Sequence, residues 1–144
     1  MRPNSSPTKD DKMGNFESLQ EAQEFFKNDR FATDNGAKID YIDDERCVCS
    51  MELTDIHRNA LGGVMGGAIF TLADLAFAAS SNNAHRPTVA LDINIHFLSP
   101  PKGNKLFAES RCIKSGRTTS IYEIKVTDDT DREVALFIGT GYKL

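Results

Sequence analysis

The sequence predicts an α+β fold in which one antiparallel β-sheet wraps around one long central helix, with a short helix at the N-terminal side. Three observations carry this reading. The run from Gly66 to Ser81 is apolar on nearly every side, so as a helix it has no face for water and must be enclosed. Two alternating segments precede it and four strand-like segments follow it. Short turn sequences join the later segments, which suits antiparallel neighbours, since parallel strands need long crossovers.

Taken in order, residues 1–15, "MRPNSSPTKDDKMGN", are polar and free of aromatic side chains. Such a composition cannot repay the entropy of ordering, so a flexible tail is expected there, leaving 16–144 as a single domain. Ser18 followed by Glu21 has the spacing of a capping box, and Leu19, Ala22, Phe25 and Phe26 then form one apolar stripe over a helix ending near Asp29. From 37 the period changes to two. Ala37, Ile39 and Tyr41 alternate with polar neighbours, and after "DDE" the alternation resumes through Cys47, Cys49, Met51 and Leu53, so a hairpin is expected. The central helix follows over 66–81. Then come "TVALDINIHFL", "KLFAESRCIKS", "TTSIYEIKVTD" and "EVALFIGTGYKL", separated by the turns "SPPKGN", "SGR" and "DDTDR". One sheet cannot cover every side of an apolar helix, so part of the covering is expected from another subunit.

Composition narrows the function classes. At 144 residues the chain has the size of one domain, and its formal net charge of −4 disfavours non-specific nucleic-acid binding. No basic stretch followed by an apolar one opens the chain, and the apolar run 64–79 is too short and too broken by glycine to span a bilayer, so a cytoplasmic protein without membrane partners is expected. Cys47, Cys49 and Cys112 are an odd number, and Cys47 and Cys49 fall on one strand face. They read as small buried apolar residues, and no metal site is expected because no second Cys or His pair completes a ligand set.

Asp74 stands out in this setting. Between Asn59 and His85 the chain has no Lys, Arg or Glu, so no salt bridge one turn away explains it. A buried, unpaired carboxylate is costly, has its pKa raised, and tends to mark a site. The structural alternatives are a hydrogen bond to Thr71 or a contact with another element.

The segment "HRNALGGVMGGAIFTLADLAFAAS" resembles the pattern of PaaI-type hotdog-fold thioesterases, which runs approximately His-x-Asn-x-x-Gly-x-x-His-Gly-Gly with an Asp eight residues after the first Gly of the pair. Here the matching positions are His57, Asn59, Gly62, Met65, Gly66, Gly67 and Asp74. The blocks "ALDINIHFLSP" and "SGRTTSIYEIKVTD" resemble the family's next strand and hairpin, and the likeness covers 37–144. It implies a hotdog fold and hydrolysis of an acyl-CoA thioester, without a cofactor beyond the CoA of the substrate.

That reaction builds negative charge on the thioester oxygen, which preorganised N–H donors stabilise. The amide of Gly66 is suited to such donation, because it opens a helix, where N–H groups lack intrahelical partners, and no Cβ obstructs approach. Equally, Gly66 and Gly67 can serve only close packing or a turn. Asp74 would act as general base or nucleophile. Eight helical residues separate Gly66 from Asp74, a rise of about 12 Å and a rotation of about 80°. If one thioester uses both, they come from different subunits, so a homodimer with shared sites follows, and pairing of two dimers into a homotetramer is expected. The resemblance implies the same shared arrangement, with Asn59 and Gly66 of one subunit facing Asp74 of its partner.

Asn59 would position the carbonyl or the water, or else cap a loop. The small or polar stripe Gly67, Thr71, Asp74, Ala78 and Ser81 suits a pantetheine arm or a close helix contact. Two departures weaken catalysis: Met65 replaces the usual His, and Ala90 stands where related enzymes often carry Ser or Thr. Met65 instead fits an apolar acyl pocket; Phe70 and Phe77 are further candidates to line it, though core packing is the favoured role for each. Among Lys102, Lys105, Arg111, Lys114 and Arg117, Arg117 is the preferred contact for the CoA phosphates, although basic residues also protect strand edges. His57 is expected to be structural, and His85 and His96 add nothing specific. A non-catalytic hotdog domain that binds acyl-CoA is the second reading, and a dehydratase or hydratase the third.

Overall fold

A computed structural model describes residues 15–144. The tail expected over 1–15 therefore lies, but for Asn15, outside the described residues. Two short helices, α1 (Leu19–Phe26) and α2 (Arg30–Asp34), lead into the hairpin β1 (Lys38–Ile42) and β2 (Arg46–Glu52). A single 3-10 turn, Asp55–His57, precedes the long helix α3 (Gly66–Ala84), and β3 (Thr88–Phe97), β4 (Lys105–Ser115), β5 (Thr119–Asp128) and β6 (Glu133–Lys143) complete the chain. The six strands form one antiparallel sheet in the order β1-β2-β4-β5-β6-β3. Helix α3 touches every one of them, which is the hotdog arrangement the apolar helix required.

The core is built where α3 meets the sheet. Leu72, Ala73 and Ala76 are fully enclosed, together with Leu106, Ala108, Ile124, Val126 and Phe137 from the strands. Cys47 and Cys49 join them as free, fully buried thiols with their Sγ atoms 3.8 Å apart. Two glycines of β6 make room for their neighbours: a Cβ on Gly139 would lie 3.0 Å from the rings of Phe77 on α3 and Phe137, and one on Gly141 only 2.7 Å from Thr88 Cγ2 on β3. Phe70 and Phe77 are spent on this packing, with ring centroids 5.5 and 5.9 Å from that of Phe137.

At the N-terminal side Ser18 Oγ accepts the Glu21 N–H at 3.0 Å, the capping interaction the spacing predicts. The helix ends at Phe26 rather than near Asp29, and the chain re-enters a helix at Arg30. α2 is too short to show a period, and its Phe31 is 76% exposed, so no apolar stripe announces it. α3 runs three residues beyond its expected end at Ser81. The polar residues there do not stop it because they are satisfied by docking: Asn83 accepts from Phe16 N at 2.7 Å and donates to Asp43 O at 3.1 Å. Pro87, just beyond, prevents continuation.

The turn "DDTDR" holds a feature that no periodicity marks. Asp128 is 1% exposed, and its carboxylate accepts from the backbone of Lys102 and Gly103 through Oδ2, and from Thr130 N, Thr130 Oγ1 and Arg132 N through Oδ1. Burial opposes its ionisation, but the Thr130 hydroxyl and the three flanking N–H groups hold its pKa far below the usual carboxylate range. It pins the β3–β4 connection onto the β5–β6 turn.

Candidate active site

The approach to α3 is shaped by short-range hydrogen bonds. His57 is buried; its Nδ1 accepts from Thr54 N at 2.9 Å and its Nε2 lies 2.6 Å from Asn35 O. These partners assign the neutral ring with hydrogen on Nε2, which ties the end of α2 to the segment before α3. Asn59 Oδ1 accepts from Leu61 N and Gly63 N at 3.0 and 3.1 Å. Gly62 takes φ +85°, a left-handed conformation that glycine alone adopts freely. Asn59 oxygen thus holds a tight loop, while its Nδ2 donates to no group among the described residues.

Met65 then adopts extended backbone as the N-cap of α3, with its N–H bonded to His57 O at 2.8 Å and its side chain 50% exposed. The first intrahelical hydrogen bond runs from Ala68 N to Met65 O, and no side chain caps the end. The amides of Gly66 and Gly67 therefore come before the ladder begins, at the positive end of a 19-residue helix. The Phe97 ring lies directly beside Gly66: a Cβ built there would stand 3.1 Å from Phe97 Cζ. The sequence pattern does not single out Phe97, because only the β3–α3 packing brings it here. Its ring stands against the Cα of Gly66 on the side where a side chain would project.

Asp74 lies two turns along the same helix. Burial raises its pKa, and the nearby carboxylate of Asp29 raises it further. Asp29 sits at the N-cap of α2 without capping it, and burial raises its own pKa. Thr71 does not pair with Asp74; its hydroxyl donates to Gly67 O at 2.7 Å. Among the described residues Asp74 has no hydrogen-bond donor and no cation. Asp29, 45 positions away in sequence, carried no signal that would join it to this acid.

The remaining candidates do not all gather here. Ala90 is exposed, pairs with Gly141, and stands just before a bulge in β3. Arg117 belongs to the opposite end of the sheet from Gly66. Phe97 pairs with Ala135 and Thr119 with Tyr142, a separation of seven residues on β6 or about 23 Å. Within one chain Arg117 is remote from the Gly66 amide. Arg111 is engaged by Glu123 at 3.4 Å, and Lys105 Nζ lies 5.3 Å from the centre of the Phe107 ring. No helix among the described residues is long and apolar enough to cross a membrane.

β3 lies at one edge of the sheet, so one of its sides has no strand partner among the described residues. Val89, Leu91, Phe97 and neighbouring Leu98 are 47–62% exposed along it. A long apolar edge strand invites pairing with another strand.

Residues 61–135 match the thioesterase superfamily model, and the chain belongs to that family. The acyl-coenzyme A thioesterase PaaI of Escherichia coli is 32% identical over 126 residues, covering 87% of this chain and 90% of that protein. Mouse acyl-coenzyme A thioesterase 13 is 31% identical over 91 residues, covering 60% and 64%. The solved structure of the E. coli PaaI protein superposes with a TM-score of 0.81 at 31% identity, over 87% of this chain and 91% of that one.

Proposed function

We propose that this protein hydrolyses acyl-CoA thioesters, with Asp74 as general base or nucleophile and the Gly66 amide as oxyanion donor from the other subunit of a dimer. The observation that carries the reading is an acid without a partner among the described residues, its pKa raised, on the helix whose first amides are uncapped. The supporting comparison is with relatives named as acyl-CoA thioesterases.

The chemistry follows from these groups. The Asp74 carboxylate takes a proton from water as its oxygen bonds to the thioester carbon, or bonds to that carbon itself and is released by water afterwards. The carbonyl oxygen gains negative charge and is held by the Gly66 N–H. Collapse breaks the carbon–sulfur bond; the free acid leaves, and CoA departs as thiolate, protonated by the acid formed at Asp74 or by solvent. Burial matters here because it brings the Asp74 pKa closer to the working pH of a general base. Asn59 Nδ2 orients the carbonyl or the water while Oδ1 maintains the loop. Met65 borders the acyl group, Gly67 and Thr71 the pantetheine, and Ala90 the attacking water, and Arg117 from the partner meets the phosphates.

The dimer reading rests on distance and on surface. Gly66 and Asp74 of one chain are about 12 Å apart along the axis, too far for one reacting carbon. Pairing of the exposed apolar β3 edge with its two-fold mate would cover Val89, Leu91 and Phe97 and carry the Arg117 end of one subunit toward the Gly66 end of the other. A homotetramer is compatible with the apolar side chains left exposed elsewhere, such as Phe31, Ile56 and Leu61. The test is thiol release from a panel of acyl-CoAs by wild type and Asp74→Asn. Turnover lost in the variant supports the enzyme; saturable binding with no thiol release in either protein supports a carrier.

A further inference from the structure

A cavity of about 250 Å³, open on one side to solvent, lies at the corner between α1 and α2. Gln23, Phe26 and Lys27 come from α1 and its end, Thr33 from α2, Ala37, Lys38 and Ile39 from β1 and the residue before it, and Leu75 from α3. Its interior is apolar. Lys27 is paired with Glu24 at 2.7 Å and Lys38 with Asp40 at 4.0 Å, so the charge at its rim is already engaged. Gln23 Nε2 donates to Ile39 O at 2.8 Å and fastens α1 to β1 across one side.

The cavity borders the Asp74 site. Leu75, which lines it, is the next residue on α3, and Asp29 lies between the lining residues Lys27 and Thr33 in sequence, its carbonyl accepting from Thr33 N at 3.0 Å and Thr33 Oγ1 at 3.1 Å. α2 packs against α3, so this corner lies against the helix that carries Asp74.

We infer that this cavity receives the acyl group of the substrate, so that the corner of α1 and α2 sets which acyl-CoA the enzyme prefers. The inference rests on the thioesterase reading above. An apolar lining with its flanking charges paired selects an uncharged hydrocarbon tail, and the size limits it. At about 30 Å³ per water-sized group the cavity holds about eight carbons, and a cavity of about 150 Å³ already accepts a benzene ring. A medium straight chain or a phenyl group with a short spacer fills it, whereas the end of a long fatty chain would project from its open side into solvent.

The experiment measures kcat/KM by thiol release for acetyl-, butyryl-, octanoyl-, palmitoyl- and phenylacetyl-CoA, in wild type and in two variants that fill the cavity. These are Thr33→Trp, entering from a half-buried position on α2, and Ala37→Val, which adds two carbons from the β1 side. Wild type should favour octanoyl- or phenylacetyl-CoA over both acetyl- and palmitoyl-CoA. Thr33→Trp should lower the octanoyl-to-acetyl ratio at least tenfold, and Ala37→Val should lower it by a smaller factor. A ratio unchanged in both variants, with unchanged melting temperatures, overturns the inference. If wild type releases no thiol from any of the five, the thioesterase reading fails instead, and the pocket is then judged by calorimetric binding of octanoyl-CoA. Binding weakened tenfold in Thr33→Trp supports the pocket; equal binding in wild type and variant rejects it.

Discussion

Replacing Gly66 by proline removes one N–H and adds a ring beside Phe97. Gly66 is the first residue of α3, the position where proline fits because its missing N–H has no intrahelical acceptor. The residue before a proline must be extended, and Met65 already is, at φ −65° and ψ 133°. Gly66 itself has no positive φ to forbid the ring. Phe97 must yield by a few tenths of an ångström, since a Cβ would stand 3.1 Å from its Cζ, but that ring is 54% exposed and can turn. Proline also reduces the freedom of the unfolded chain, worth about 0.4–1 kcal/mol in favour of folding. The melting temperature should therefore change little. Losing one oxyanion donor costs about 100- to 1,000-fold in kcat, or roughly 3–4 kcal/mol on the barrier. Thiol release at saturating acyl-CoA, beside a thermal melt, reads both quantities. A folded Gly66→Pro protein retaining kcat within threefold of wild type would refute the assignment of the oxyanion donor.

Three further outcomes follow from the other acids. In Asp128→Asn one amide oxygen replaces two carboxylate oxygens, so at least two N–H groups lose their acceptor, at about 1–3 kcal/mol each; thermal denaturation should show a drop of roughly 10 °C or more. Because the folded-state pKa of Asp128 is depressed, the stability it contributes is present above about pH 4 and is lost as pH falls further, and this loss should be missing from the pH–stability curve of the variant. Asp74 has the opposite sign: its raised pKa means that ionisation costs folding free energy as pH rises through and above the unfolded value near 4. Asp74→Asn should therefore melt higher than wild type at pH 7, with the gap narrowing toward pH 4, while losing turnover. Removing the neighbouring charge in Asp29→Asn should lower the Asp74 pKa and move the acid limb of the kcat/KM profile to lower pH; an unmoved limb would separate Asp29 from the site.

The fold was legible because its signals are local and strong. An apolar helix with one acid, the Ser18 cap and the period-two runs each name an element without help from the rest of the chain. The candidate site was legible in part. Gly66 and Asp74 are marked by spacing and by the chemistry of a lone carboxylate, and the neutral His57 reads as structural from either view. What escaped depends on long-range packing. Phe97 reaches Gly66 only because β3 returns beside the start of α3, and Asp29 meets Asp74 only through α2, whose five residues show no period. In "DDTDR" three acids look alike, and burial selects Asp128 alone among them for five hydrogen bonds. Phe70 and Phe77, for which core packing is the favoured sequence reading, pack against Phe137 in the core.

The central claim is that each site draws Gly66 from one subunit and Asp74 from the other. Co-expressing Gly66→Pro and Asp74→Asn chains and measuring thiol release tests it directly. Each pure variant should be nearly inactive. Random pairing makes about half of the dimers mixed, each with one intact site of two, so about a quarter of wild-type activity should return. A mixture no more active than its parents, with mixed dimers demonstrated by differential tags, would place both groups in one chain and contradict the account.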